Sequence, residues 1–508
     1  MTWDAGLPEL ERMHPTRRFR KKDLLLVQLQ TCGSPDYRPS HRGQRIRRRP
    51  ASTRQTGCVI IISENVAFAL APGRHRSTFH LCCPDLLHHP AGPGEHRSPL
   101  GFPDPIAMTQ PIQSLIEPDD LQAVLQPTGE ARGMPNAVYT SEEAYAFERE
   151  YLFAPHWTAI AFADSLAPGE VRAVDFMGLP ILLCRLKTNG EIRVFHNVCS
   201  HRGLRLVSGS RQTNGLLVCP YHSWTYDLGG DLKATPHIGG VGVHCVDGFH
   251  RADHGLKPIR HHVWLGVLFV NLDGTAPPFE EAVTTVLERY RNLMGPDGES
   301  QLRRAITHDG GTMDVRCNWK LALENFLEAY HLPFIHPGLN SYSPLNRHYN
   351  EIIDDLCAGQ VTTTFDPDLD RDDPLPLFNG WDPDRLATGE YPALFPNLLL
   401  GFQANHVFGM IVSPVSPDSC REEFMIFYAG DEANDDRYLR QRKSNLDAWT
   451  AVFNEDIEPC ERMQIGRNSP GYRGGAFSPV HDVCSHHFHQ WVAKHYLAVL
   501  HDTSAGTA

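Results

Sequence analysis

Residues 199–222, CSHRGLRLVSGSRQTNGLLVCPYH, hold four candidate ligands in two tight pairs. Cys199 and His201 form a Cys-x-His pair, Cys219 and His222 a Cys-x-x-His pair, and seventeen residues separate them. Thiolate and imidazole are ligands for zinc or for an iron–sulfur cluster. Two Cys and two His can close a tetrahedral zinc site. Each pair also sits in a tight loop between strand-like runs, NVCSHRG in one and VCPYHSWTYDLGGDL in the other. Two such loops facing each other suit a cluster that takes one Cys and one His from each.

A second group lies in NWKLALENFLEAYHLPFIHPGLN, residues 318–340. Glu324, Glu328 and His331 fall at i, i+4 and i+7, one stripe of a helix. The pattern predicts a helix over 318–332 stopped by Pro333. His336 follows just beyond. Two histidines five apart across a helix end can converge on one metal. A carboxylate from elsewhere would complete a two-His-one-carboxylate face with positions open for oxygen. The histidines of CSHHFHQ, residues 484–490, lack a partner acid at metal spacing and read as structural or exposed.

The loops resemble those of the Rieske [2Fe–2S] domain, over roughly residues 153–260. The resemblance implies that Cys199 and Cys219 hold one iron and that His201 and His222 hold the other. Histidine in place of thiolate removes negative charge and raises the potential relative to an all-cysteine ferredoxin. Rieske proteins of respiratory complexes carry an extra Cys in each loop, joined as a disulfide. Leu204 and Tyr221 stand there, so the loops are more similar to those of Rieske oxygenases and their ferredoxins. The run Asn-Trp-Lys…Glu-Asn…Glu-x-Tyr-His-x4-His likewise resembles the catalytic helix of Rieske non-haem iron oxygenase α subunits.

That resemblance implies a mononuclear Fe(II) held by His331 and His336, with Glu328 as the acid linking the two metal centres. The third ligand is expected in FNEDIEPCERMQIGR, residues 453–467, as Asp456 with Glu455 as the alternative. Pro459 removes the hydrogen bond to the Glu455 carbonyl and predicts a kink there. Glu324 and Asn325 read as supporting or capping groups. Trp319, Leu323, Phe326 and Tyr330 read as core and pocket wall. The implied fold is α+β: a small antiparallel β Rieske domain, then a helix-grip (START-like) catalytic domain with an antiparallel sheet.

Function follows by the same resemblance. O₂ and electrons from a separate flavin- and iron–sulfur-dependent NAD(P)H reductase would oxidise a small molecule, in a homotrimer. EAYHLPFIHPGLNSYSPL and LFPNLLLG resemble the quaternary-amine branch, which acts on choline, glycine betaine, carnitine and stachydrine. Such cations bind aromatic faces, for which Phe326, Tyr330, Phe395, Phe402 and Phe408 are candidates. The alternatives are an aromatic ring-hydroxylating dioxygenase, an aromatic O-demethylase and, in another class, a Rieske electron carrier or zinc protein.

The elements that position these groups show in the patterning. Thr140 and Glu143 predict a capping box for a helix over 141–153. From 157 to 272, short apolar runs broken by Gly, Pro, Asn and Asp predict a small antiparallel β domain. FEEAVTTVLERYRNLM predicts a helix, strand-like runs follow at 396–414 and 422–429, and RYLRQRKSNLDAWTAVFNED predicts a long helix.

The chain of 508 residues suggests more than one domain. A net charge of −13 argues against nucleic acid as a partner, and no apolar run is long enough to span a membrane. Thirteen scattered cysteines fit a reducing cytoplasm rather than a disulfide scaffold. Residues 1–107 hold 16 of the 47 basic and 9 of the 60 acidic residues, so the remainder holds 31 and 51, a balance of −20. The faint twin-arginine pattern TRRFRKKDLLLV lacks a full apolar run and a cleavage site. The expected organisation is therefore a disordered extension or over-extended reading frame over 1–107, an arm and helix over 108–152, a Rieske domain over 153–262 and a catalytic domain over 263–508.

Overall fold

The computed structural model describes residue 112, residues 114–366 and residues 373–505. The basic segment 1–107 and a start at Met108 lie outside them.

The 157–272 region folds as three small antiparallel sheets. Ile192–His196, Leu179–Arg185, Glu170–Phe176 and Ser210–Gln212 pair in that order. Leu216–Val218, Thr225–Asp227 and Leu232–Ala234 form a meander. Thr158–Phe162, Val267–Asn271 and Arg260–Trp264 form the third sheet. Val267–Asn271 is buried along its whole length, as its unbroken apolar run predicts. The Cys199 loop follows Ile192–His196, and the Cys219 loop joins Leu216–Val218 to Thr225–Asp227.

The C-terminal half is one eight-stranded antiparallel sheet. From one edge, Ser419–Ala429 is followed by His406–Ser416, Leu398–Gln403, Gly389–Leu394, Cys357–Thr362 and His348–Asp354. Leu302–Arg304 and Gly310–Val315 share the outer side of Ser419–Ala429. Leu439–Arg467 packs on Trp319–Phe326 and on the sheet, and Val483–Ala505 packs on Trp319–Phe326 and on two strands. This is the α+β, helix-and-antiparallel-sheet architecture expected.

Several local expectations are corrected. The helix predicted over 141–153 is capped by Ser141, not Thr140, because the Ser141 Oγ accepts from the Ala144 N–H at 3.1 Å. The Thr140 hydroxyl instead donates to the Asn136 carbonyl, closing the short helix Ala137–Thr140. The helix Glu142–Glu148 ends in a π-helical turn, Arg149–Phe153. FEEAVTTVLERYRNLM breaks at Val283 into Phe279–Ala282 and Thr284–Met294.

The helix predicted over 318–332 is shorter, spanning Trp319–Phe326. Pro333 does not stop it. Pro333 sits in the first turn of a separate helix, Leu332–Ile335, where a missing N–H costs nothing. The chain leaves helical geometry at Leu327, and the Glu328 carboxylate then accepts from the N–H groups of Tyr330 and His331. Glu324 and Glu328 are consequently not on one helical stripe. Leu439–Arg467 runs on through Pro459.

Two buried carboxylates anchor Trp319–Phe326. Glu148 accepts from the Trp319 indole at 2.7 Å, Lys320 Nζ at 2.5 Å and the Tyr496 hydroxyl at 2.9 Å. Glu324 accepts from the Tyr139 hydroxyl at 2.5 Å and meets Arg467 at 3.3 Å and His489 Nε2 at 3.2 Å. Burial works against the Glu324 charge, but His489, Arg467 and Tyr139 outweigh it and hold the carboxyl below its usual range. Trp319 is fully buried, which contributes about 3 kcal/mol. Together these contacts fix the helix end from which the histidines depart.

Candidate metal centres and the cavity between helix and sheet

The two cysteine loops are built alike. In the first, Gly203 N–H donates to the Cys199 carbonyl at 2.9 Å and Cys199 N–H donates to the Leu204 carbonyl at 2.8 Å. In the second, Ser223 N–H donates to the Cys219 carbonyl at 2.9 Å and Cys219 N–H to the Trp224 carbonyl at 2.8 Å. The fourth residue after each cysteine is left-handed, Gly203 at φ +71° and Ser223 at φ +58°. Glycine adopts this freely, whereas Ser223 does so at some cost.

The loops bring all four sequence-predicted groups together. The rings of His201 and His222 lie 4.7 Å apart, and His201 stacks on Trp224. Cys199 and Cys219 are buried free thiols. His222 Nδ1 is buried with no hydrogen-bond partner, the state of a nitrogen that serves as a ligand. Two thiols and two imidazoles on matched loops fit a [2Fe–2S] cluster with mixed ligation. One participant escaped sequence reasoning. The Tyr226 hydroxyl lies 3.2 Å from Cys199 Sγ and accepts from the Ser200 N–H. A lone tyrosine in SWTYDLGG carries no signal for this.

The second group converges as well. His331 and His336 bracket the single turn Leu332–Ile335, and their rings lie 5.0 Å apart. Asp456 arrives from Leu439–Arg467, and one ligand atom from each of the three residues lies within 4.8 Å of the others. Each imidazole is held the same way. His331 meets Glu328 at Nδ1 (2.6 Å) and faces Asp456 Oδ1 with Nε2 (3.7 Å). His336 meets Glu455 at Nδ1 (2.7 Å) and Asp456 Oδ1 at Nε2 (2.9 Å). Burial lowers the basicity of His336, yet Asp456 and Glu455 more than reverse this, so the site favours positive charge. Two imidazoles and a carboxylate, oriented by outer carboxylates, fit a hard divalent metal such as iron. Glu455, the alternative ligand, stands behind His336 instead.

The triad opens on a pocket of about 500 Å³, its solvent-open mouth included. Its wall includes Phe326, Tyr391, Phe408, Trp449 and Phe453. Phe326 and Phe408 were expected there, but three other cage candidates are elsewhere. Tyr330 is half-exposed and stacks on His481, so it is not core. Phe395 packs on Phe488, and Phe402 stacks on Tyr290. Trp449, Phe453 and Asp456 sit at i, i+4 and i+7 of one helix, a signal available in the sequence. Tyr391 comes from a strand and had no such signal. The histidines of CSHHFHQ are structural: His486 meets the Val124 carbonyl, His487 the Asp354 carbonyl and His489 meets Glu324.

Residues 156–246 match the family of the Rieske [2Fe-2S] domain, and residues 302–498 match the ring hydroxylating α subunit (catalytic domain). The chain belongs to the Rieske non-haem iron oxygenases and is an oxidoreductase. Such proteins carry a Rieske cluster and a mononuclear iron, and work as oxygenase components fed by reductases. Among relatives, it is 28% identical over 381 residues to the chloroplastic choline monooxygenase of Arabidopsis thaliana, covering 72% of this chain and 82% of that one. It is 27% identical over 348 residues to the carnitine monooxygenase oxygenase subunit of Acinetobacter baumannii, covering 67% and 86%. The fold is that of a quaternary ammonium Rieske monooxygenase solved with L-carnitine (TM-score 0.60, 22% identity, 73% of this chain and 97% of that one). It is also that of naphthalene 1,2-dioxygenase from a Rhodococcus species (TM-score 0.59, 18% identity, 76% and 98%). Among the described residues no helix is long and apolar enough to cross a membrane.

Proposed function

We propose that this chain is the oxygenase component for a quaternary or methylated amine, and that it hydroxylates a C–H bond of that substrate. The observation that carries the reading is the aromatic cavity opening directly on His331, His336 and Asp456. Aromatic faces attract a quaternary ammonium. The named choline and carnitine monooxygenases among its relatives support the same class.

In this reading Cys199, His201, Cys219 and His222 hold the cluster, and His331, His336 and Asp456 hold the iron. When bound, the cluster supplies single electrons and the iron supplies O₂ activation beside the substrate. The chain's residues do the rest. Glu328 and Glu455 keep the Nδ1 protons of His331 and His336, which leaves each Nε2 free to ligate. The aromatic wall places the substrate and excludes water. Overall, R–H, O₂, two electrons and two protons give R–OH and H₂O. Hydroxylating an N-methyl carbon gives a hemiaminal that loses formaldehyde, and hydroxylating an alcohol carbon gives an aldehyde hydrate.

The electrons come from a flavin and iron–sulfur reductase using NAD(P)H. The working form is a homotrimer in which Glu328 links the iron of one subunit to the cluster of the next. Glu328 lines a cleft that reaches the surface, where a neighbour has access. Domain limits of 153–262 and 263–508 and a cytoplasmic location complete the proposal; all nine described cysteines are free thiols, which suits a reducing compartment.

The test uses iron-loaded protein with a surrogate reductase and NADH. Formaldehyde or aldehyde matched to NADH use with methylated amines supports the reading. Product only from arenes or aromatic O-methyl ethers overturns it in favour of the aromatic branch.

A further inference from the structure

The cavity wall distinguishes among amines. Besides the iron-site groups Glu328 and Asp456, its charged side chains include no Lys and no Arg among the described residues. A zwitterion such as a betaine would bring its carboxylate into a space whose wall offers no Lys or Arg to pair it. Burying an unpaired carboxylate is costly. An ammonium without a carboxylate meets aromatic rings and no side-chain cation of Lys or Arg. Trp449 lies at their centre, tilted against Phe408 at 4.6 Å and stacked on Phe453 at 5.7 Å.

The wall also carries His348 and Tyr391, on two strands of the sheet. Their rings are nearly parallel, 6.5 Å apart. His348 Nε2 lies 2.9 Å from the Ser343 hydroxyl and 3.2 Å from the Ser343 carbonyl. A carbonyl only accepts, so the proton of a neutral ring sits on Nε2 and Nδ1 is left as a bare acceptor. That Nδ1 is buried and has no partner, whereas the Tyr391 hydroxyl is buried beside the Gln403 amide. Buried polar atoms are normally paired, and an unpaired acceptor in a cavity-lining side chain is the complement of a group that donates, such as a hydroxyl.

We infer that the substrate is a quaternary or methylated ammonium with a hydroxyl-bearing arm and no carboxylate, whose hydroxyl donates to His348 Nδ1. The inference rests on the amine reading above and narrows it. His348 then acts as a specificity-determining residue. A site built to hydrogen-bond a hydroxyl discriminates strongly against an analogue that lacks it.

Four compounds separate the two features: choline (hydroxyl, no carboxylate), tetramethylammonium (neither), glycine betaine (carboxylate only) and L-carnitine (both). Initial rates are measured with the full-length holoenzyme, reductase and NADH, for the parent and for His348→Leu. Choline is expected to exceed tetramethylammonium in kcat/KM by roughly ten-fold or more, the worth of one good hydrogen bond. Both carboxylates are expected to be poorer still. In His348→Leu the KM for choline rises roughly ten-fold more than that for tetramethylammonium. Turnover of betaine or carnitine at or above the choline rate overturns this inference and leaves the amine reading standing. Equal KM changes for choline and tetramethylammonium overturn the role of His348. Turnover of none of the four overturns the amine reading itself. If His348→Leu fails to fold, the parent's ranking of the four compounds decides alone.

Discussion

Glu455 and Asp456 are adjacent in the chain, yet they address opposite nitrogens of one ring. Glu455 Oε2 lies 2.7 Å from His336 Nδ1, and Asp456 Oδ1 lies 2.9 Å from Nε2. The pair therefore divides into a group that faces the metal position and one that orients the ligand. Asp456→Ala is expected to lose the mononuclear iron while the visible spectrum of the cluster persists. Glu455→Ala is expected to keep the site but weaken iron binding by about 10–100-fold. Iron titration of the two variants separates the roles, and the opposite ranking would exchange them.

Glu328 is expected to matter for electron passage rather than for holding either metal. It touches His331 Nδ1 at 2.6 Å and also caps the turn before that residue. Glu328→Gln keeps a hydrogen-bonding group there, so both metals should load. Turnover should fall about 100-fold or more, because a reduced cluster would no longer pass its electron on. Stopped-flow oxidation of the reduced cluster by O₂ and substrate reports this step. Parent-like rates would remove Glu328 from the path.

Lys320 and Glu148 form a fully buried pair, with both side chains at 0% exposure. Lys320→Met leaves the carboxylate buried with only the Trp319 indole and the Tyr496 hydroxyl and should cost about 3–5 kcal/mol. Restoring neutrality with Lys320→Met and Glu148→Gln together should recover much of the loss. Thermal melts of the parent, both single variants and the double variant check it, and additive losses would mean that the charges are not coupled.

Acid should weaken the fold partly through His406. Its Nε2 accepts from the Trp449 indole at 2.9 Å, and burial pushes its pKa down to about 3 from 6.5. The folded state keeps the ring neutral while the unfolded chain protonates below pH 6.5. Stability is therefore complete above pH 6.5 and declines as pH falls towards 3. At pH 5 the loss from this residue is about 2 kcal/mol. His406→Gln should flatten the profile between pH 6.5 and 5, as measured by denaturant midpoints. An unchanged slope would mean that other groups set it.

The sequence by itself determined what lies close along the chain. Cys199 with His201, Cys219 with His222, and His331 with His336 are each at most five residues apart, so local turns suffice to aim them at one point. Short apolar runs broken by turn residues likewise determined the β character of 157–272, because runs of that length suit buried strands joined by tight turns. Tertiary structure decided the rest. Helical periodicity put Glu324, Glu328 and His331 on one stripe, but the helix ends at Phe326 and Glu324 turns to Tyr139, Arg467 and His489. Whether Asp456 or Glu455 faces the histidines depends on the rotation of Leu439–Arg467 against its neighbours, which packing sets and adjacency in the chain does not. The cavity joins Trp449 and Phe453 from that helix to His348 and Tyr391 from the sheet, residues up to 105 positions apart. No local pattern links them. They meet because the sheet and the helix bury their apolar faces against each other, which puts His348 and Tyr391 on the wall of the space between.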